Sequence, residues 1–406
     1  MHVMSSSHPT ICDFLVVGAG IIGINIALSL RKKHPKANII LLEKENEPGL
    51  HASGRNSGVL HAGFYYTKDS LKAAFSKAGN AALTAFCLER NLPINQCGKL
   101  VVARDENDLA GLHELHRRGK ENDIALHLIS KQDALAIEPR VKTHDYALFS
   151  PTTASVDPKT IVTTLVQDLK QAHITLRCRE RFLKKIGHLI QTDRAHYAPG
   201  YVVNAAGLYA DKIAKQFGFA EQYEILPFKG LYLYGATTEK LRTHIYPVPN
   251  LNNPFLGVHF TLNAQGNVKI GPTAIPAFWR EHYTGLENFK LHETAAIMLR
   301  QMGLLLNANF NFRQLAITEL KKYNRKVLVN HASALATHTL PQHYVKWGKP
   351  GIRAQLIDIK NKKLEMDFIV AGDAHSFHVL NAVSPAFTCA MPFAAHVTDL
   401  ILKKTT

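Results

Sequence analysis

An α/β fold with an early βαβ unit is what this sequence predicts, on three observations. A continuous apolar run, Phe14–Val17, stops at a glycine. The glycines that follow have the spacing Gly18-x-Gly20-x-x-Gly23. A second apolar run, within Asn38–Lys44, reaches the acidic Glu43, 20 residues after Gly23.

Each part of the unit has a physical reason. Phe14–Val17 is apolar throughout, as a parallel strand buried on both faces must be. Residues 21–33, IIGINIALSLRKK, read as a helix ended by His34-Pro35. Asn38–Lys44 reads as the second strand. Gly18 permits the tight turn, Gly20 lets the backbone approach a pyrophosphate, and Gly23 lets helix and strand pack closely. Ala19, Ile21 and Ile22 complete the turn, whose helix N-terminus offers free N–H groups and partial positive charge to phosphates. Glu43 would accept hydrogen bonds from a ribose diol, with Lys44 beside it. A glycine-rich turn without a ligand is the alternative; strand, helix, second strand and acidic end together favour a dinucleotide.

Further elements follow along the chain. Residues 98–103 read as a strand. A helix follows, with Asp105 as its cap and Gly119 as its terminator. Residues 160–172 form an amphipathic helix pattern. Residues 201–207 read as a buried strand leading into a turn. Residues 367–374 repeat the strand-then-glycine pattern, and a last helix begins near Pro385. The strand ends near Val17, Gly207 and Gly372 are expected to converge on one ligand, because α/β ligands sit at the carboxyl ends of strands.

The totals bound the function classes. A chain of 406 residues holds two or three domains. A formal charge of +16 draws anions: acidic metabolites, nucleic acid or an anionic membrane surface. No basic tail and no aromatic-basic motif accompanies it, so a nucleic-acid partner is not expected. The five cysteines, Cys12, Cys87, Cys97, Cys178 and Cys389, form no C-x-x-C pair and suggest a reducing compartment. The first twelve residues carry no Lys or Arg, so neither a secretory nor a transit signal is expected. The 17-residue apolar run Phe14–Leu30 is better explained as strand, turn and helix than as a membrane span. His113/His116 and His375/His378 have metal-ligand spacing but no third ligand, and no metal is expected.

Glycines alone do not separate NAD from FAD. The motif lies at the extreme N-terminus, and a glycine-rich segment, HASGRNSGVLHAGFYY (51–66), starts eight residues after Glu43. That arrangement suits an extended, buried flavin. The segment resembles its counterpart in L-2-hydroxyglutarate dehydrogenases (oxidases), within the D-amino-acid-oxidase-like group of FAD enzymes. Several stretches agree in order: SPTTASVDP (150–158), VVNAAGLYAD (202–211), LPFKGLYL (226–233), IYPVPNLNNPFLGVHFT (245–261), GPTA (271–274), GIRAQLID (351–358) and HVLNAVSPAFT (378–388). Only 281–340 carries no shared motif.

The resemblance implies an FAD-binding Rossmann-like domain (10–90, 151–225 and 351–400) interleaved with an α+β substrate domain (91–150 and 226–350). It implies oxidation of L-2-hydroxyglutarate to 2-oxoglutarate, with the hydride passing from the α-carbon to flavin N5. Other 2-hydroxy acids, amino acids or glycerol 3-phosphate are the alternatives within the fold. A base must take the hydroxyl proton, and histidine suits it near neutral pH; among 22 histidines, His61 and His259 are the candidates, with His378 behind them. Arg353 is the first choice to hold a substrate carboxylate, and Lys229 the second. Tyr65, Tyr66 and Ser384 offer further donors. Ser53, Arg55, Asn56, Ser57, Gly58 and Val59 would face the cofactor, as would Ala206, Gly207, Gly372 and Asp373. The turn Asn381, Ala382, Val383, Ser384 would present N–H groups to the flavin's pyrimidine end. Here the chain departs from the family pattern: Val383 stands where a proline is expected and Phe387 where a small residue is, which would narrow the site. Non-covalent FAD is expected, with Cys389 the cysteine nearest the turn in sequence. Electrons would pass to a quinone at a membrane or to oxygen. The protein would be cytoplasmic, or peripheral on the inner face of the cell membrane.

Overall fold

A computed structural model of the chain describes residues 8–250, 255–307 and 312–405. Residues 251–254, part of the shared stretch 245–261, lie outside the described residues.

The predicted βαβ unit is present: β1 (Thr10–Val17), α1 (Ile21–Lys33) and β2 (Ile39–Leu42). β1 and β2 run parallel, and Leu15, Val16 and Leu41 are fully buried. On its other edge β1 pairs in parallel with His196–Asn204, aligning Val17 with Asn204. The strands therefore end together, and Gly18 and Ala205 begin two turns at one edge of the sheet. Ser376–Asn381 extends the parallel set beside His196–Asn204.

One expected strand runs the other way. Ile369–Gly372 is antiparallel to Ser376–Asn381. Its carboxyl end, with Gly372 and Asp373, is a hairpin turn at the far side of the sheet. There the Asp373 N–H donates to Ser376 O, and the Tyr201 hydroxyl donates to Asp373 O. The returning strand Ser376–Asn381 is the one that delivers its end to the shared edge.

Three more sheets surround this one. Eight strands form the second, in which His259–Leu262, His244–Pro247, Lys99–Val102 and Tyr146–Ser150 are successive neighbours. A four-stranded sheet is built on the long antiparallel pair Tyr223–Gly230 and Gly351–Asp358. One ladder thus joins residues proposed for two different domains. A small three-stranded sheet holds Val59–Leu60 against Ala154–Val156.

The helix after Asp105 is capped as predicted, Asp105 accepting from the Asp108 N–H, but it runs to Glu121. Gly119 does not end it. A Cβ there would lie 2.6 Å from Leu126 Cδ2, so the glycine serves close packing rather than termination. The 160–172 pattern is a helix from Pro158 to Gln171, capped by Asp157.

The last helix, Ala386–Thr405, packs on α1 and on the helix Leu71–Glu89. It contains Pro392, which has no N–H to give to the carbonyl of Thr388. Gly79 packs against that free carbonyl; a Cβ at Gly79 would stand 2.2 Å from it. Gly79→Ala should therefore destabilise the protein by about 1–3 kcal/mol, the usual cost of overpacking. Thermal unfolding followed by circular dichroism tests this; an unchanged Tm would show that the two helices separate freely.

Candidate active site

Where the strand ends meet, a continuous cavity of about 590 Å³ runs from Gly18 and Glu43 to His61 and Arg353. Its size is that of an ordinary ligand site.

The glycine turn shapes one end. Gly18 has φ +104°, and a Cβ there would lie 2.6 Å from Ala205 O. A Cβ at Gly23 would stand 1.9 Å from Gly18 O, so only glycine lets α1 start this close to the strand. The Ile21 N–H donates to Ser53 Oγ (2.8 Å) and the Ala19 N–H to Glu43 Oε2 (3.1 Å). The N-cap residue of α1, Gly20, has no side chain to cap the helix, and no acidic residue lies in the first turn. Gly207, at φ +53°, has open space where a side chain would be.

The segment 51–66 lines the cavity's length. Some of its polar groups fold the segment itself. Arg55 Nε donates to Leu50 O (2.7 Å) and the guanidinium lies over the Tyr283 ring. Asn56 donates to Ser53 O (2.8 Å) and accepts from the Gly58 N–H (2.8 Å). Further on, the His61 N–H donates to Thr388 Oγ1 (3.1 Å), and Asn80 Nδ2 donates to Leu60 O (2.9 Å). The backbone at His61 is thus pinned from two helices; the residue lines the cavity, and its Nδ1 is buried without a partner. Burial, and then the positive charges of Lys99, His244 and Arg353, hold the ring's pKa well below its ordinary value.

Arg353 sits within the strand Gly351–Asp358, not at its end, and lines the cavity. It has no ion-pair partner among the described residues. Burial pulls its guanidinium below the usual range, and the nearby Tyr232, Glu319, Tyr66 and Tyr246 act the other way. His259 opens the strand His259–Leu262, donates through Nδ1–H to Gly257 O (2.9 Å), and stacks on Tyr246 with centroids 3.7 Å apart. It is close enough to His61 and Arg353 to feel both charges, though it does not line the cavity.

Residues 13–400 match the family described as FAD-dependent oxidoreductases (DAO). The chain belongs to that family. It is 33% identical over 420 residues to the mitochondrial L-2-hydroxyglutarate dehydrogenase of Nematostella vectensis, covering 95% of this chain and 90% of that protein. It is 31% identical over 400 residues to the L-2-hydroxyglutarate dehydrogenase of Escherichia coli K12, covering 96% and 93%. Among solved structures, the FAD-bound L-α-glycerophosphate oxidase of Mycoplasma pneumoniae superposes with a TM-score of 0.76 at 21% identity, covering 97% and 95%. Glycine oxidase from Geobacillus kaustophilus superposes at 0.73 with 18% identity, covering 98% and 96%.

The cofactor of this family member is FAD, and the cavity fits it. The positive φ of Gly18, the glycine N-cap of α1, and the open space at Gly207 leave room for a ligand along one continuous channel. Of the residues expected to face the cofactor, Gly18, Gly20, Ile21, Ile22, Glu43, Lys44, Ser53, Arg55, Asn56, Ser57, Val59, Ala206, Gly207, Ala382, Val383 and Ser384 line it. Ala19 and Gly23 act behind it, through the contacts given above. Gly58 is not at the cavity; at φ +76° it packs against Val156 O.

Gly372 and Asp373 are away from the cavity, because their strand is the antiparallel one. Asn381 is fully buried and ties strands together, donating to Asp367 O (2.6 Å) and accepting from the Leu356 N–H (3.2 Å). Lys229 pairs with Ile352 while Arg353 pairs with Phe228, so alternation puts Lys229 and Arg353 on opposite faces of the ladder. His378 lies between Phe217 and Phe219 and is bonded to Asn204 and Ser376, a satisfied structural histidine. Tyr65 and Tyr66 are near the site without lining it.

The structure adds groups that sequence reasoning missed. Segment 279–290, which runs into the stretch 281–340 without a shared motif, closes part of the rim. Arg280 makes a buried bidentate pair with Asp211 (2.7 Å), and Glu281 pairs with Lys44 (2.7 Å). Glu45, His51 and Glu281 lie close enough together to hold a metal ion, and Lys44 bridges both carboxylates there. Lys99, Lys269, Tyr232 and Tyr246 surround the Arg353 end. A lysine heading the apolar run GKLVVA was the available signal for Lys99.

Gly18→Ala meets both an unfavourable φ and the Ala205 carbonyl. The purified variant should retain less than about a tenth of the parent's flavin, by absorbance near 450 nm, since strain plus lost approach exceeds the ~1.4 kcal/mol that a factor of ten requires. Parental flavin content would mean that the turn tolerates a side chain.

Proposed function

We propose that this protein oxidises L-2-hydroxyglutarate to 2-oxoglutarate, with His61 taking the proton of the 2-hydroxyl group and Arg353 holding a substrate carboxylate. The observation that carries this reading is a cationic cavity end with a free imidazole. Arg353 and His61 line one cavity, the His61 Nδ1 has no hydrogen-bond partner, and no carboxylate among the described residues pairs with the arginine. A small dicarboxylate supplies the missing negative charge. An uncompensated guanidinium in a low-dielectric site pairs more strongly with a carboxylate than an exposed one does.

FAD, when bound, accepts the hydride from the α-carbon. The chain's own part is to bind, orient and deprotonate. His61 is fixed through its backbone, so its ring is held without spending a ring nitrogen on a neighbour. Kept below its ordinary pKa, it is a neutral base through the physiological range. His259, stacked on Tyr246, is a second neutral imidazole beside it. Phe387 borders the same cavity and narrows it near Ser384.

The electron acceptor we propose is a quinone, reached from a membrane surface. The helix Leu291–Asn307 supports this. Leu291, Met298, Leu299, Met302 and Leu306 are exposed on it, Leu306 by 79%. Ile317 and Leu320 continue the apolar surface on Phe312–Lys321, with exposed Arg313 and Lys321 on the same helix. Exposed apolar residues flanked by basic ones suit shallow insertion among anionic head groups. No helix among the described residues is long and apolar enough to cross a membrane.

Mixing the flavin-loaded protein with L-2-hydroxyglutarate under anaerobic conditions should bleach the 450 nm band. Bleaching by glycerol 3-phosphate or an amino acid instead would overturn the substrate. Arg353→Met should raise KM by roughly a hundredfold, the loss of a charge-assisted pair. For the membrane, the protein should co-sediment with phosphatidylserine vesicles at low salt, and Leu299→Glu should abolish this. Failure of the parent protein to co-sediment at low salt would remove the membrane from the account.

A further inference from the structure

Between the strand Ile275–Pro276 and the helix Leu291–Asn307 the chain forms no helix or strand. No ladder holds this stretch, so its placement depends on side-chain contacts. Those contacts go to the loops that follow β2 and His196–Asn204, which belong to the nucleotide end of the cavity.

The contacts are of two kinds. At the base, Arg280 makes its bidentate pair with Asp211 (2.7 Å to each oxygen) and also donates to Leu208 O. Both side chains are buried, and breaking such a pair strands a charge in the interior. Further out, Glu281 meets Lys44 Nζ (2.7 Å), accepts from the Tyr209 hydroxyl (2.8 Å) and accepts from Asn288 Nδ2 (3.1 Å). Lys44 is partly exposed, so this contact opens more easily than the first. Tyr283 is held by His51, whose Nδ1 lies 2.6 Å from the phenol oxygen, and by the Arg55 guanidinium 4.2 Å from the ring centroid.

Both sides of these contacts are cavity walls. Lys44, Arg55 and Tyr209 line the cavity from the nucleotide end, and Glu281, Asn288 and Lys290 line it from the segment. Lys44 directly follows Glu43, yet two carboxylates, Glu45 and Glu281, match its charge. It is therefore poorly placed to serve as a simple phosphate counter-ion. The outer turn, 284–289, is exposed, Leu286 by 77%. Its backbone bonds are local, from the Glu287 N–H to Thr284 O and from the Phe289 N–H to Leu286 O. Few contacts resist its opening there.

We propose that segment 279–290 is a clasp on the dinucleotide site. The Arg280–Asp211 pair anchors it, and the contacts of Glu281 with Lys44 and Tyr209 latch it, so that the latch must open before bound FAD is released. The role is independent of which substrate is oxidised.

The test is the rate of FAD release from loaded protein, read as the flavin absorbance retained after gel filtration at timed intervals. Glu281→Gln keeps the shape of the side chain and removes its charge; it should release FAD about tenfold faster, the loss of a charge-assisted contact. Lys44→Met breaks the same contact from the other side and should do the same. The double variant should be about as fast as either single one, because both changes remove one interaction. Backbone hydrogen exchange in 279–290 of the loaded protein should quicken in all three.

Release at the parent's rate in both single variants, folded by circular dichroism, overturns the clasp. Effects that multiply in the double variant show two independent contacts and overturn the latch. Faster release without faster exchange in 279–290 assigns the side chains to direct cofactor contact and also overturns it. Should Glu281→Gln fail to fold, Lys44→Met decides alone, since its change lies outside the segment: the parent's release rate overturns the proposal, and faster release with faster exchange in 279–290 supports it.

Discussion

Positive charge is buried at one end of this cavity and left without a counter-ion. Arg353, Lys99, His61, His244 and His259 influence one another there, and burial is the largest force on each of them. In a low-dielectric interior such charges cannot all be carried. The histidines give up theirs first. What remains is a set of neutral imidazoles beside a permanent guanidinium, the state that the roles proposed for His61 and Arg353 require. In the proposed reaction a substrate carboxylate supplies the missing negative charge.

That arrangement depends on backbone approaches that side chains would prevent. Gly18 and Gly23 let α1 begin against the turn that follows the first strand. Gly351 packs onto the Arg55 carbonyl, where a Cβ would lie 2.1 Å away, and so brings the Arg353 strand against segment 51–66. Thr388, one turn into the last helix, donates to Val59 O and accepts from the His61 N–H. Its position follows from the contact between Gly79 and the carbonyl that Pro392 leaves free. Packing 300 residues apart in sequence therefore fixes where one imidazole stands.

The rim is held differently, by pairing charges rather than isolating them. Lys44 binds Glu45 and Glu281, and Arg280 binds Asp211. Glu45 is held down to about 2 by its hydrogen bond to His51 and by Lys44. Opposite charges at the rim and like charges within give the cavity a polarity along its length. Paired charges sit at its Lys44 side, and the positive groups without a counter-ion among the described residues sit at its Arg353 side.

The nucleotide end was legible in the sequence, because its constraints are local. A buried parallel strand must be apolar throughout, and glycine spacing is dictated by turn geometry within a few residues. The same locality explains why α1, β2 and the capped helices were recognisable. The substrate end was legible only in part. Arg353 and His61 stood in stretches with a family resemblance, but nothing local showed that Lys229 alternates to the other face, or that Ile369–Gly372 reverses direction. Strand direction and facing are properties of pairing between distant segments. Lys99 is the clearest case. In sequence it is a lysine before an apolar run; the rings that enclose it come from residues 64, 65 and 246. The sequence by itself determined a dinucleotide site, through short-range backbone geometry, and its resemblance along the whole chain made that dinucleotide FAD. Only the tertiary structure decided the protonation of the site, because that depends on which charges are buried together.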